Sequence, residues 1–255
     1  MNPVYATATA ASLTAFKTLR WDVRVSGSQH IPATGGGVIA TNHVGYLDFV
    51  FCGYGAREQG GRRVRFVAKR EVFDNRFAGP LMRAMRHIPV DRGGNTAVAM
   101  RDVAAALADG DLVGMFPEGT INRSFVPQEG RPGAARMAVD AGVPLIPGAI
   151  WGSQRIFSKG RKLQAARGTA VMVAFGPPIS YQPDEDPKAV HERLMASIRT
   201  QTDELQRSYP QRPADEADAW WLPAHLGGGA PSPEQAAAWA REEAAERRRR
   251  RAEGG

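Results

Sequence analysis

The chain has 255 residues, a net charge of +7 and one cysteine. This length supports one main domain with short appendages, and a single cysteine excludes an intramolecular disulfide. The apolar neighbours of Cys52 predict a buried small hydrophobic residue and not a nucleophile. No Cys/His cluster has zinc spacing and no apolar run reaches the ~20 residues that cross a bilayer, so we expect neither a structural metal nor a spanning helix. The positive charge indicates anionic partners: a membrane surface, phosphorylated substrates or nucleic acid.

Residues 1–21 predict an amphipathic helix in which apolar and aromatic side chains, ending in Trp21, stand among small and polar ones. Such a helix either docks on the domain or lies in the membrane interface as an anchor, and the sequence leaves both possibilities open. A domain is predicted over 22–207. Residues 208–255 are predicted to be a linker and a charged, partly disordered tail.

Strands and helices alternate along the domain, which is typical of an α/β fold, here with a mixed central sheet flanked by helices. The predicted strands are Val38–Thr41, Val64–Ala68, Ile88–Val90, Leu112–Phe116, Leu145–Trp151 and Ala170–Phe175. The predicted helices are Phe49–Arg57, Pro80–Arg86, Thr96–Asp109, Gly133–Ala141 and Lys188–Leu205. Pro147 predicts a sheet edge or a bulge, because proline cannot donate to a β-ladder.

The tail is predicted to form a charged helix, Pro233–Arg251, that ends in the five arginines Arg247–Arg251. Arginines at a helix C-terminus complement the helix dipole, so a solvated helix end is the first interpretation. Contact with anionic lipid comes second and nucleic acid last.

A histidine stands five positions ahead of an aspartate, where the first predicted strand meets the following helix. The Asp48 carboxylate can hold one nitrogen of His43 as a donor and leave the other as a proton acceptor. Asn42 either orders this loop or donates to it. No Gly-x-Ser-x-Gly elbow is present, so we expect the nucleophile to be a hydroxyl group of the substrate. This pattern favours transfer to an alcohol over hydrolysis, with water as the alternative nucleophile.

Basic residues follow the carboxyl ends of predicted strands or a nearby turn, the edge at which open α/β sheets bind ligands. These residues are Lys69, Arg92 and Arg123. Together they are candidates for holding a phosphate, although each one taken alone fits a surface role better.

A turn after the strand at 112–116 contains the sequence Glu-Gly-Thr. The backbone N–H groups of Gly119 and Thr120 can face an oxyanion or a phosphate. Glu118 either fixes the loop or contacts the acceptor.

In these motifs the chain resembles the glycerolipid acyltransferases, and among them the 1-acylglycerol-3-phosphate acyltransferases. The motifs are Asn-His-x4-Asp at Asn42, His43 and Asp48, an apolar strand with arginine at Ile88–Arg92, Phe-Pro-Glu-Gly-Thr with Arg-Ser at Phe116–Ser124, and Val-Pro-apolar-Pro at Val143–Pro147. The chain departs from the family in two places. Ile121-Asn122 separates the threonine from the arginine, and Met85–His87 replaces a glycine-rich approach to the second motif.

The resemblance implies direct acyl transfer on a membrane surface. His43, oriented by Asp48, would deprotonate the sn-2 hydroxyl of lysophosphatidic acid, which attacks the thioester of acyl-CoA or acyl carrier protein and gives phosphatidic acid. No metal, cofactor or acyl-enzyme is implied. The expected location is the cytoplasmic face of the cell membrane, as a peripheral or monotopic protein. The residues expected to bind substrate are Asn42, Lys69, Arg92, Glu118, Gly119, Thr120 and Arg123.

Three alternatives stay open. The first is the same chemistry on another acceptor, such as glycerol 3-phosphate, another lysophospholipid or a glycolipid, and the altered third motif keeps this alternative open. A thioesterase would release thiol without an acceptor. A non-enzymatic binder of membranes or nucleic acid would use the basic surface and the arginine-rich tail, and deleting that tail would abolish its function.

Overall fold

The computed structural model describes residues 3–76, 78–91 and 96–253. Its strands are β1 (Asp22–Ser26), β2 (Gly37–Thr41), β3 (Val64–Lys69), β4 (Ile88–Val90), β5 (Leu112–Met115), β6 (Leu145–Trp151) and β7 (Ala170–Phe175). They form one sheet in the order β1-β7-β6-β2-β5-β3-β4. Neighbouring strands are parallel, except that β6 and β7 are antiparallel. The predicted α/β class with a mixed sheet is confirmed.

Helices flank this sheet on both faces. The described helices are α1 (Pro3–Thr18), α2 (Asp48–Arg57), α3 (Arg70–Asp74), α4 (Ala78–Ala84), α5 (Ala97–Ala108), α6 (Gly133–Ala141), α7 (Pro187–Ser208) and α8 (Pro233–Glu253). The predicted helices agree with these to within a few residues, whereas β1 and α3 were not predicted. Within the described chain, no helix is both long and apolar enough to cross a bilayer.

Two apolar clusters cover the two faces of the sheet. In β2, Val38 and Ala40 belong to the cluster under α5, α6 and α7, whereas Ile39 belongs to the cluster under α1 and α2. This alternation follows from the period of two along a strand, and all of β2 is buried because helices cover both faces. Cys52 of α2 is fully buried, which confirms its predicted hydrophobic role, and burial raises the pKa of its thiol.

The prediction that Pro147 marks a sheet edge or a bulge is wrong. Its strand, β6, lies inside the sheet between β7 and β2. The Pro147 carbonyl accepts a hydrogen bond from the N–H of Gly176, just beyond β7, at 2.8 Å. The proline nitrogen faces the same side, where pairing with β7 starts only at the next residue, Gly148. The missing N–H therefore removes no bond from the ladder.

Residues 209–230, within the region 208–255 that was predicted to be a linker and tail, pack against the domain. Tyr209 and Trp221 are buried beside Trp151 of β6, with ring centroids 6.3 Å apart for Trp151–Tyr209 and 5.6 Å for Tyr209–Trp221. The Arg155 guanidinium lies 4.4 Å from the Trp221 ring centroid. Proline and glycine set the turns of this segment, but its aromatic side chains bury enough surface to dock it. The division of the chain at residues 21 and 207 stays a prediction.

Candidate active site

The predicted His-Asp pair forms at the carboxyl end of β2. His43 Nδ1 lies 2.9 Å from Asp48 Oδ2. Asp48 is fully buried as the first residue of α2, and its Oδ2 also accepts from the backbone N–H groups of Val44 at 2.7 Å and Gly45 at 2.9 Å. The Ser153 hydroxyl donates to Oδ1. Both oxygens of the Asp48 carboxylate therefore accept hydrogen bonds. The loop donors hold the carboxylate in place, and the carboxylate in turn holds the loop and the imidazole.

These contacts decide which nitrogen of His43 is available. Because the Asp48 carboxylate only accepts, Nδ1 carries the proton in the neutral ring and Nε2 is the acceptor. Nε2 makes no hydrogen bond within the part of the chain that the structure describes. The Phe116 ring stacks on the imidazole, with centroids 4.1 Å apart and an interplanar angle of 10°. A general base needs this arrangement, in which one ring nitrogen is held by a hydrogen bond and the other is open to accept a proton.

Asn42 orders the loop. Its side-chain amide donates to the carbonyl of Ile150 at 3.0 Å and accepts from the Ile150 N–H at 2.8 Å. With 1% of its surface exposed, Asn42 joins the end of β2 to β6. These contacts agree with the loop-ordering interpretation of Asn42, and its expected role in substrate binding stays a prediction.

Glu118 fastens its own loop to the His43 loop. One oxygen accepts from the His43 N–H at 3.2 Å, and the other accepts from the Asn122 side chain at 2.8 Å and the Gln128 N–H at 3.1 Å. The Asn122 N–H donates to the His43 carbonyl at 2.9 Å. Burial raises the pKa of Glu118, and these donors act against that rise. The loop-fixing interpretation of Glu118 accounts for all of these contacts.

The turn that follows places Gly119 and Thr120 beside this network. Gly119 has a φ of 68°, which favours glycine, and its N–H donates to the Phe116 carbonyl at 2.9 Å. Among the described residues, Thr120 has no hydrogen-bond partner for its amide or its hydroxyl. Thr120 is therefore the donor of this turn that is open to a ligand.

The structure describes two of the three basic residues that were predicted to hold a phosphate. Lys69 ends β3, so it lies at the same edge of the sheet as His43. Arg123 follows the Glu118 loop, and its Nη2 lies 2.7 Å from Glu243 of α8. Arg92 lies outside the described residues.

Ser153 is a site residue that was not predicted. It follows the carboxyl end of β6, separated from it only by Gly152, whose φ is 99°. Since β6 is the neighbour of β2, this position brings a hydroxyl to the same edge as His43. The sequence signal for such a residue is a polar side chain just after a predicted strand.

A large apolar cavity of about 570 Å³ is lined in part by Phe49, the residue that follows Asp48. Its walls come from α1, α2, β3 and α4, with Tyr5, Phe49 and Leu81 among the side chains. Phe66 also lines it and stacks on Phe116, with ring centroids 5.7 Å apart. A column of aromatic rings thus joins the cavity to the imidazole of His43.

His87 is buried at the wall of this cavity, 5% exposed. Its Nδ1 accepts from the Phe66 N–H at 3.0 Å, which requires that nitrogen to be unprotonated. Burial, together with the nearby charge of Arg65, lowers the pKa of His87 to about 4. His87 is therefore neutral at physiological pH and cannot serve as a cation for an anionic substrate.

The chain is similar in sequence and in fold to proteins already known. Residues 22–151 match the family described as Acyltransferase. The 1-acyl-sn-glycerol-3-phosphate acyltransferase of Bacillus subtilis is 31% identical over 155 residues, which are 60% of this chain and 75% of that protein. The 1-acyl-sn-glycerol-3-phosphate acyltransferase alpha of Mus musculus is 33% identical over 171 residues, 65% of this chain and 58% of the mouse protein.

A solved structure shares the fold. The crystal structure of the 1-acyl-sn-glycerophosphate (LPA) acyltransferase PlsC from Thermotoga maritima superposes with a TM-score of 0.62. It is 22% identical in sequence, and the match covers 77% of each chain. The mixed sheet with its flanking helices is therefore the architecture of that acyltransferase.

Proposed function

The chain belongs to the glycerolipid acyltransferase family, and from this premise we propose that it transfers a fatty acyl chain to the sn-2 hydroxyl of 1-acylglycerol 3-phosphate. The acyl donor is acyl-CoA or acyl carrier protein, and the product is phosphatidic acid. The observation that carries this proposal is His43, with Nδ1 held by Asp48 at 2.9 Å and Nε2 open. The activity for which the Bacillus subtilis and mouse relatives are named supports the choice of acceptor.

In the proposed reaction, His43 Nε2 takes the proton of the acceptor hydroxyl as its oxygen attacks the thioester carbonyl. A tetrahedral intermediate forms and collapses, the carbon–sulfur bond breaks, and the imidazolium returns its proton to the leaving thiolate. Asp48 stabilises the imidazolium in between. The open donors of Thr120 are our candidates for the developing oxyanion. The acyl group passes directly to the acceptor, since no protein nucleophile takes part.

The apolar cavity is the proposed site of a substrate alkyl chain. Its volume of about 570 Å³ lies in the usual range of ligand pockets. Each methylene that leaves water contributes about 0.8 kcal/mol, so a long chain binds by burial alone. Val4 and Leu81 line the cavity and are exposed, which is where we place the membrane surface. We accordingly propose a peripheral or monotopic protein at the cytoplasmic face of the membrane.

Lys69, Arg92 and Arg123 are proposed to hold the acceptor phosphate. An alternative acceptor has one specific observation in its favour. Arg123 follows Thr120 by three positions, whereas the resemblance places arginine directly after the threonine, and its guanidinium is paired with Glu243. A different head group, such as that of glycerol 3-phosphate or another lysophospholipid, would use the same His43 chemistry.

The test is thiol release from a long-chain acyl-CoA by the purified full chain, with and without lysophosphatidic acid. Parallel reactions contain acyl carrier protein as donor, or glycerol 3-phosphate and lysophosphatidylcholine as acceptors. We expect release that depends on lysophosphatidic acid, with phosphatidic acid identified by mass spectrometry. Release in the absence of any acceptor would favour a thioesterase. Release with another acceptor alone would establish the alternative, and no release with any donor would favour a non-enzymatic binder.

A further inference from the structure

One carboxylate of the C-terminal helix α8 lies between two cations of the domain. Glu243 Oε1 is 2.7 Å from Arg123 Nη2, and its Oε2 contacts Lys159 Nζ. Trp239, one turn earlier in α8, has its ring centroid 5.6 Å from the Arg123 guanidinium carbon. We name Arg123 and Lys159 the two-cation site.

The two-cation site is fastened to the His43 loop on both sides. Arg123 follows Asn122, whose N–H donates to the His43 carbonyl at 2.9 Å. Lys159 follows Ser158, whose hydroxyl donates to the Val44 carbonyl at 2.7 Å. Both cations are therefore one residue away from a backbone contact with the loop that carries the proposed base.

The two-cation site has space and a hydrogen-bond donor that the Glu243 carboxylate does not use. It lines a cavity of about 240 Å³ that Glu118 and Thr120 also line. The Nε–H of Arg123 is buried and has no hydrogen-bond partner. The two cationic side chains are 29% and 18% exposed for Arg123 and Lys159, respectively, so solvent only partly screens their charge. A ligand with more oxygens than a carboxylate can use this unpaired donor.

We propose that Arg123 and Lys159 bind the phosphate monoester of the acceptor, and that Glu243 occupies this two-cation site until the acceptor displaces it. The inference deepens the proposed function and rests on it, adding Lys159 as a binding residue. A phosphate monoester carries a charge of about −1.5 to −2 and three acceptor oxygens, so it competes with a single carboxylate. Phosphodiester head groups carry less charge, and Glu243 therefore selects against them.

The helix that carries Glu243 is suited to displacement. Between residues 233 and 246, Ala236 is the buried position of α8, and the others are exposed or half-buried. An element with so little buried surface opens at low cost in free energy. The exchange of Glu243 for phosphate therefore leaves the sheet and the His43 loop unchanged.

The first test compares Glu243→Gln with Glu242→Gln, an adjacent, exposed position with the same change in charge. Removing a partly exposed competing ion pair should lower the acceptor KM about three- to fivefold. The acyl-donor KM and kcat should stay unchanged, and Glu242→Gln should behave as wild type. Lys159→Gln should raise the acceptor KM about tenfold or more, because it removes a charged hydrogen bond to the phosphate. Equal KM values for all of these proteins would overturn the inference.

A second test needs no turnover. Amide hydrogen exchange of residues 239–246 in the full chain is followed with inorganic phosphate, against sodium chloride at the same ionic strength to control for screening. We expect phosphate to speed exchange in wild type and to have little effect in Lys159→Gln. Unchanged exchange in wild type would overturn the proposal. A response to phosphate without any acyl transfer would instead reject the proposed function and leave the two-cation site standing.

Discussion

The two sides of the His43 loop are held in different ways. On one side, Asp48 is fully buried and accepts hydrogen bonds from groups that surround it, at distances of 2.7 to 2.9 Å for its backbone and imidazole donors. On the other side, Arg123 meets a carboxylate 120 residues away, on a helix in which Ala236 is the buried position between residues 233 and 246. A base works only if its position is fixed, whereas a binding site must exchange its occupant. The rigid Asp48 side of the loop therefore suits catalysis, whereas the Arg123 side, where Glu243 can be displaced, suits substrate binding.

The largest effect is expected from the rigid side, in Asp48→Asn. An amide keeps the shape of the side chain but presents an NH2 group where donors already point, and it no longer sets the tautomer of His43. We expect kcat to fall about 10³-fold, within the range that general-base catalysis contributes. The measurement is steady-state acyl transfer with the fold checked by circular dichroism.

Asp111→Asn is the control for that substitution. Asp111 precedes β5, at the opposite end of that strand from Glu118, and pairs with Arg65 at 3.1 Å. We expect its kcat to stay close to wild type. If Asp111→Asn lost as much activity as Asp48→Asn, the loss would reflect charge or stability and not the orientation of His43.

The next effect concerns His87, which is buried at the wall of the apolar cavity. Its pKa is lowered to about 4, so the unfolded chain binds a proton at a higher pH than the folded chain does. The stability that the neutral ring contributes is present above about pH 6.5 and is lost as the pH falls toward 4. The free energy of unfolding should drop by roughly 2 kcal/mol between pH 7.5 and 5 from this residue alone.

Urea unfolding at the two pH values measures that drop. His87→Gln should remove most of the pH dependence, whereas His225→Gln, at an exposed histidine, should keep most of it. A pH dependence of the same size in His87→Gln as in wild type would show that other groups cause it.

The smallest effect is expected from Ser153→Ala. The substitution removes the donor to Asp48 Oδ1, while the contacts of Oδ2 with His43 and the loop remain. A lost hydrogen bond to a charged group should lower kcat about tenfold. Ser158→Ala is the matched control, because its hydroxyl binds the Val44 carbonyl and not the carboxylate. A similar loss of kcat in both variants would mean that the loop, and not Asp48, was disturbed.

Much of the fold could be predicted because local patterns determine it. The buried strands β6 and β7 were predicted to the residue, since runs of apolar residues between turns mark strands covered on both faces. The edge strand β1 was missed because it alternates half-buried Val23 and Val25 with exposed polar residues, which is a weak signal in five residues. Pro147 was misjudged because no local rule says where the ladder of a neighbouring strand begins.

The contacts of the site also differ in whether local sequence determines them. The pairing of His43 with Asp48 follows from spacing within one strand-to-helix junction, so the sequence predicted it. The contact of Arg123 with Glu243 depends on how a distant helix docks, and no short-range pattern encodes it. Lys159 was likewise missed, because its role depends on that same docking.

The most direct test of the central claim, direct transfer with His43 as the base, measures thiol release and phosphatidic acid formation in one reaction. Wild type should form one phosphatidic acid for each thiol released in the presence of lysophosphatidic acid. In His43→Ala both rates should fall together by about 10³-fold, with the fold retained. Normal turnover in His43→Ala, or thiol release without ester formation in wild type, would contradict the account.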